Sequence, residues 1–399
     1  MHLHSNKFMK ILVFSPYYPP HIGGLEFYSA EFNNYLEKRK HQITVFTPHL
    51  PKDTPLQETK DNIKIIRFPA FEIVPNYPLP KFWSLKFWQL YYNLFHKKYT
   101  LIISHTRFFS TSILSLFLSK FKRIKWLHIE HGSDFVQSGG KFVTFIAKIY
   151  DYTFGKIILK STDKVIAISQ EVANFCNQLT KNKNTCQTVI HRGIDIENID
   201  NILLSQSIQR KYLNKLIITF VGRIIDGKGI KDLIQAIQNI ITSKETNKKI
   251  VCLIIGSGPQ EKNLQKIIQK KGLKKYIQLL GSKKHHEVIA ILKASHIFVN
   301  PSYTEGLPTS VLEAATCGKA IIATNVGGTN QIIKNKQSGY LIKPKDINSL
   351  THRLIDLIDN PDKIKIFGQK ARNHIKQNFS WQKSIEKYET VFKKLLAKK

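Results

Sequence analysis

Two carboxylates, Glu305 and Glu313, stand eight residues apart in PSYTEGLPTSVLEA (301–314). The apolar run His296–Val299 ends in Pro301-Ser302. An acidic glycine turn, Glu305-Gly306, follows it, and a helix is predicted from near Pro308. The first turn of such a helix offers backbone N–H groups that Thr309 and Ser310 could cap, and this kind of end suits an anion. A helix-dipole glutamate followed by a solvated helix glutamate would read the same way. A second set of chemical groups lies in GRIIDGKGI (222–230), where Arg223 and Lys228 flank glycines. Arginine supplies a fork and lysine a point charge, a pairing suited to a diphosphate. Taken alone it could be surface charge, since Lys and Arg make up 61 of 399 residues. Gly23-Gly24 falls between a strand and a helical pattern, where backbone can approach a phosphate closely. His131, in EHGSD, follows another apolar run.

Placing these groups requires strands that end beside them. Short apolar runs at Lys10–Phe14, Ile43–Phe46, Ile63–Phe68, Leu101–Ser104, Ile124–Ile129 and Val165–Ser169 read as buried strands, most of them separated by helical stretches. That alternation predicts a parallel, doubly wound α/β sheet, in which ligands bind beyond the C-terminal strand ends. Apolar strength falls from Cys186 to Lys215. A second series follows: strands at Leu216–Val221, Ile250–Ile255, Tyr276–Leu280 and 296–299, with helices between them. Two domains are the natural prior for this length. The predicted division is a Rossmann-like domain over 1–195, a linker over 196–215, a second Rossmann-like domain over 216–378, and a long amphipathic helix over 379–399.

The net charge of +33 implies a polyanionic partner: nucleic acid, anionic lipid or a phosphorylated substrate. The lysines are spread along the chain and no nucleic-acid recognition motif is present, which argues against nucleic acid. Cys176, Cys186, Cys252 and Cys317 lack metal or redox spacing and read as reduced thiols. The first residues run straight into a strand without a leader pattern. The longest membrane-like run, Phe108–Ser119, is about half of the ~20 residues a spanning helix needs. A location in the cytoplasm is expected. Within KFWSLKFWQLYYNLFHKKY (81–99), Phe82, Leu85, Trp88 (or Gln89), Tyr92 and Phe95 recur at helical spacing among lysines. This stretch fits either a helix lying on a membrane surface or a core-facing helix with a solvated lysine side.

The order GGLE, GR-x4-KG, IIGSGP, PSYTEGLPTSVLEA-x3-G and VGG resembles the retaining nucleotide-sugar glycosyltransferases of family 4 (glycosyl transferases group 1) over nearly the whole chain. The resemblance implies the GT-B fold: two Rossmann-like domains facing across a cleft, with the C-terminal helix packing back on the first. It implies that Arg223 and Lys228 hold the donor diphosphate, that Glu305 bonds hydroxyls of the transferred sugar, and that Glu313 bonds the ribose. Backbone amides at Leu307, Thr309 and Ser310 would lie against the phosphates, Gly23 and Gly24 would close over the donor, and His131 would lie beside the sugar. Gly256 and the Leu280-Gly281 turn would border base and ribose. The donor would be a UDP- or GDP-hexose, and the acceptor a glycan or lipid-linked sugar of cell-envelope polysaccharide (lipopolysaccharide included) at the inner membrane face. No metal would be required. Gln331 and Ala320 depart from the family's usual glutamate and proline. A nucleotide-sugar 2-epimerase of similar fold and a basic nucleic-acid-binding protein are the rival readings.

Overall fold

A computed structural model describes residues 8–21, 23–74, 77–135 and 141–397. The chain divides into two compact units, Met1–Gly193 with Trp381–Lys399, and Ile194–Ser380.

The first unit carries an eight-stranded sheet. In spatial order its strands are Thr188–Val189, Lys164–Ala167, Trp126–Glu130, Leu101–His105, Lys10–Phe14, Gln42–Pro48, Ile63–Phe68 and Gln57–Lys60. Every pairing is parallel except the last, an antiparallel edge strand. That edge strand, QETK, carries no apolar signal and has no counterpart among the predicted strands. The hairpin Ala70–Val74 with Tyr77–Pro80 was likewise not anticipated. Helix Trp381–Ala397 belongs to this unit, as expected of a returning C-terminal helix. Trp381 is buried against Tyr28, Phe32 and Tyr35, and the Tyr388 hydroxyl meets that of Tyr28 at 2.9 Å.

The second unit has a wholly parallel sheet in the order Ile277–Leu279, Ile250–Ile255, Leu216–Val221, Ile297–Asn300, Ala320–Thr324, Tyr340–Ile342. Ile250–Ile255 is buried at all six positions, which is why it reads as continuous hydrophobicity rather than alternation. The stretch 196–215, expected as a linker, instead folds into this unit as helices Ile196–Asn201 and Gln206–Lys211, capped by Asp195 and Ser205. Both helices are short, and polar ties fix them. The Ser205 amide donates to the Ala290 carbonyl at 2.9 Å, and Arg372 pairs with Asp200 at 2.8 Å. Such contacts leave no hydrophobic signature.

Strand order decides where ligands can bind. Leu216–Val221 has Ile250–Ile255 on one side and Ile297–Asn300 on the other, so the loops after it diverge from those of its neighbour. The crevice opens at that switch point. In the first unit the switch point lies between Lys10–Phe14 and Leu101–His105.

The 81–99 stretch forms helix Leu85–Phe95. Its core side is Phe87, Leu90, Tyr91 and Leu94, so the stripe Phe82, Leu85, Trp88 and Tyr92 faces outward. Among the described residues, no helix is long and apolar enough to cross a membrane.

Candidate active site

The loop after Leu216–Val221 and the loop after Ile297–Asn300 are tied together at the second unit's switch point. The Tyr303 amide donates to the Gly227 carbonyl at 2.9 Å, and the Tyr303 hydroxyl to Asp232 at 3.0 Å. Gly229 has φ +64°, and a Cβ there would stand 2.0 Å from the Pro301 carbonyl oxygen. Only glycine fits so close an approach. Beneath, buried Ser302 donates to Asn300 at 2.9 Å and its carbonyl accepts from Thr324 at 2.5 Å. These ties bring the Lys228 ammonium 2.6 Å from the Glu305 carboxylate. Both side chains keep some exposure, 22% and 13%. Arg223 is exposed on the same loop, and among the described residues it makes no ion pair.

Helix Thr309–Thr316 starts directly after Glu305-Gly306-Leu307. Its N-cap residue is Pro308, which makes no side-chain cap bond. Thr309 and Ser310, expected as caps, are instead the first helical residues. They are half-buried at an N-terminus whose dipole favours negative charge. The Leu307 side chain is buried beneath this end. Gly327 presses on the Glu305 carbonyl from the other side, where a Cβ would come within 1.8 Å at φ +51°.

Glu313, 8% exposed, receives Nε2 of His285 at 2.9 Å. His285 was not singled out in the sequence, because KKHHE before a helix carries no signal of what it will face. Gly256 and Gly281 meet where the Gly256 amide donates to the Gly281 carbonyl at 2.9 Å, with Leu280 held by the Ile254 carbonyl. A Cβ on Gly256 would strike the Gly222 carbonyl at 1.9 Å, whereas Gly281 faces open space. The strand ends therefore form a glycine-floored shelf. Arg223, Lys228 and Glu305 stand at one part of it, and Glu313 with His285 at another. Gln331 lies in helix Thr329–Ile332, where its carbonyl accepts from His374 at 2.8 Å. Ala320 begins a fully buried strand.

In the first unit, Gly23 is the N-cap of helix Gly24–Lys38, in extended backbone. The buried Glu26 carboxylate folds back over it, 2.3 Å from where a Cβ would sit, and pairs with His21 at 2.6 Å. Arg192 reaches the Gly24 carbonyl at 3.3 Å and Glu31 at 2.9 Å. His131 follows Trp126–Glu130. One oxygen of Glu130 accepts both the His131 and Gly132 amides at 2.9 Å. The other accepts the Arg107 amide at 3.0 Å and lies 3.2 Å from Nε2 of His128. Arg107 itself is clamped by Asp151 at 2.9 and 3.0 Å. Burial acts to raise the Glu130 pKa, but Arg107, His128 and the Gly132 amide outweigh it and hold the carboxyl well below its ordinary range. His131 meets His105 at 3.2 Å and the Tyr28 ring edge-on at 4.6 Å. Burial lowers the His131 pKa to about 3, so the ring is neutral in ordinary buffers. His105 is fully buried behind it, with Nε2 unpartnered, which makes it a support rather than a surface group. Glu130 lies just after a predicted strand, whereas Arg107 and Asp151 carry no local signal because their contact spans 44 residues.

Residues 204–374 match the family described as glycosyl transferases group 1, and residues 22–198 match glycosyltransferase family 4. An uncharacterised glycosyltransferase of Methanocaldococcus jannaschii is 37% identical over 97% of this chain and 99% of its own. The Escherichia coli UDP-Gal:α-D-GlcNAc-diphosphoundecaprenol α-1,3-galactosyltransferase is 28% identical over 76% of this chain and 77% of its own. Among solved structures, sucrose-phosphate synthase from Thermosynechococcus elongatus superimposes with a TM-score of 0.78 at 21% identity, covering 98% of this chain and all of that one. Anabaena HepE in complex with UDP and glucose gives 0.74 at 18%, covering 97% and all of that chain. These two likenesses establish the GT-B fold.

Proposed function

The chain belongs to the family-4 glycosyltransferases (glycosyl transferases group 1), and we propose that within that family it moves a hexosyl residue from a nucleotide-diphosphate sugar to a glycan or lipid-linked acceptor, with retention at the anomeric carbon. The observation that carries this reading is the Lys228–Glu305 pair at 2.6 Å, beside the exposed Arg223 and the start of helix Thr309–Thr316. A departing nucleoside diphosphate develops negative charge. Arg223, Lys228 and the helix N-terminus, on loops of one switch point, would stabilise that charge. In this scheme Lys228 and Arg223 take the diphosphate, with the Leu307, Thr309 and Ser310 amides against its oxygens. Glu305 then holds sugar hydroxyls and Glu313 the ribose. Gly256, Leu280 and Gly281 border the base. Gly23, Gly24 and His131 of the first unit keep the roles that the family resemblance implies.

The bond from the anomeric carbon to phosphate oxygen breaks as the acceptor oxygen bonds to that carbon on the same face. The acceptor proton passes to the leaving phosphate oxygen. The residues supply the countercharge, so the scheme calls for no metal. The named substrates of the E. coli relative support a nucleotide-sugar donor and a lipid-diphosphate acceptor. A Staphylococcus aureus relative named for capsular polysaccharide biosynthesis supports an envelope pathway. Work at the cytoplasmic face of the membrane, against anionic lipid, follows from such an acceptor.

The test is a panel of UDP- and GDP-hexoses with purified protein in EDTA, read by thermal shift and by donor hydrolysis. One donor raising the melting temperature and being hydrolysed, with the α-configured donor giving an α-linked product by NMR, is the expected outcome. No shift with any nucleotide-sugar overturns the donor site, and an inverted product overturns retention.

A further inference from the structure

Helix Leu85–Phe95 and helix Ser110–Lys122 of the first unit border an open groove of about 720 Å³. Phe82, Trp88, Tyr92, Phe95, Phe117 and Phe121 wall it, over a floor that includes Ile113 and Leu114. That volume falls in the range of small-ligand pockets, roughly 300–1,000 Å³. Most of its polar groups are already engaged. The Tyr91 hydroxyl donates to the Leu114 carbonyl at 2.7 Å, the Ser110 hydroxyl to the Pro78 carbonyl at 3.3 Å, and the Gln89 oxygen accepts from Lys86 at 3.2 Å. Little is left there to orient a polar ligand, so the complementary occupant is hydrocarbon. Trp88, Tyr92, Phe117 and Phe121 are 48–76% exposed, a contiguous apolar surface of the kind that marks an interaction site.

The margin is as one-sided as the wall. No aspartate or glutamate occurs between Glu72 and Glu130, a span that contains both helices. Lys81, Lys86, Lys97, Lys120, Lys122 and Arg123 lie in or beside them, four of these exposed. Burial, and then the like charge of Lys64, lower the pKa of Lys97, which marks cations crowded without an anion. A second copy of this chain seated symmetrically on the groove would bring lysines against lysines. A nucleic acid would find no hydrogen-bonding edge in it.

We propose that this groove takes one hydrocarbon chain of a phosphate-bearing bilayer lipid, with the surrounding lysines on the head-group phosphates. Apolar aromatics flanked by cations are the composition of an interfacial membrane element. The inference builds on the reading of a lipid-linked acceptor and is tested apart from it.

Trp83 and Trp88 are exposed, whereas Trp126 and Trp381 are fully buried, so lipid contact has a specific reporter. The protein is mixed with phosphatidylcholine vesicles, with and without phosphatidylglycerol, whose acyl chains carry bromine. Expected are binding to the anionic vesicles, fluorescence quenching by the brominated chains, and loss of that quenching in Trp83→Phe/Trp88→Phe. Phe117→Asp/Phe121→Asp and Lys120→Glu/Lys122→Glu each weaken vesicle affinity roughly ten-fold. Donor hydrolysis without vesicles stays at the parental rate in all three variants. Binding without quenching, or affinity unchanged by Phe117→Asp/Phe121→Asp, overturns the groove as the lipid site. So does a dimer in sedimentation that this variant makes monomeric. Absence of donor hydrolysis in the parental protein strikes the donor assignment and leaves the vesicle result standing.

Discussion

Lys228 and Glu305, 77 residues apart in sequence, hold one another at 2.6 Å on two loops whose backbones are cross-tied. The pair is partly exposed, so its worth to folding is about 0–1 kcal/mol. Lys228→Ala and Glu305→Ala are each expected to lower kcat/KM for transfer by roughly 10²–10³-fold, the scale of losing one preorganised charge partner. Melting temperature should change little. Donor turnover in purified variants checks this, and near-parental turnover in either removes that residue from the donor site.

Glu313 and His285 form the neighbouring pair. Glu313→Ala is expected to raise the donor KM roughly ten-fold, about 1.4 kcal/mol, with a smaller change in kcat. His285→Ala leaves Glu313 in place and should move KM by less. Steady-state kinetics on both variants separates a ribose contact from a purely structural ion pair, which would shift melting temperature and leave KM alone.

Glu130 is the keystone beneath His131. Its folded pKa is held below the ordinary value of 4.5, so it contributes stability fully present above that value and lost as pH falls below it. Asp151 shifts the opposite way, raised chiefly by burial, and is common to both proteins in a Glu130→Gln comparison. Removing the charge leaves Arg107 buried with only Asp151. The expected loss is about 3–5 kcal/mol at neutral pH, shrinking as the medium is acidified below pH 4.5. Urea unfolding at pH 7 and pH 4 measures it.

With its pKa near 3, His131 should contribute no limb to the pH profile between pH 5 and 8. His131→Asn is expected to lower kcat while keeping the parental shape of that profile. A profile that loses its acid limb in the variant contradicts a neutral His131.

Gly256→Ala places a methyl 1.9 Å from the Gly222 carbonyl at φ +140°. A cost of at least about 1–3 kcal/mol is expected, together with loss of donor-induced stabilisation, because the shelf floor must move. Thermal shift with and without nucleotide-sugar reads both.

Much of this architecture was legible in the sequence because parallel strands buried on both faces are written as unbroken apolar runs. Ile250–Ile255 and Leu216–Val221 sit where those runs predict. The Glu305 turn could be read because strand-end chemistry restricts residue type, whereas Gly256 is reached only through the family resemblance. The rest lacked a local code. The helices of 196–211 bury little beyond Ile199 and are held largely by polar ties from Arg372, Lys293 and the Ala290 carbonyl, and the outward face of helix Leu85–Phe95 has the same periodicity as a buried one. His285, Arg107 and Asp151 acquire their partners only when the sheets form. Thr309 and Ser310 are the first and second helical residues rather than caps, because Pro308 before them takes the extended cap conformation itself.

Helix Trp381–Ala397 completes the first unit from the far end of the chain. During synthesis the second unit is contiguous and can close on itself, while Tyr28 and Phe32 wait uncovered until Trp381 and Tyr388 have been made. Folding is thus ordered against the direction of synthesis: the first-made unit is finished last. Truncation before Trp381 should leave a protein that keeps the second unit's cooperative unfolding transition and loses that of the first.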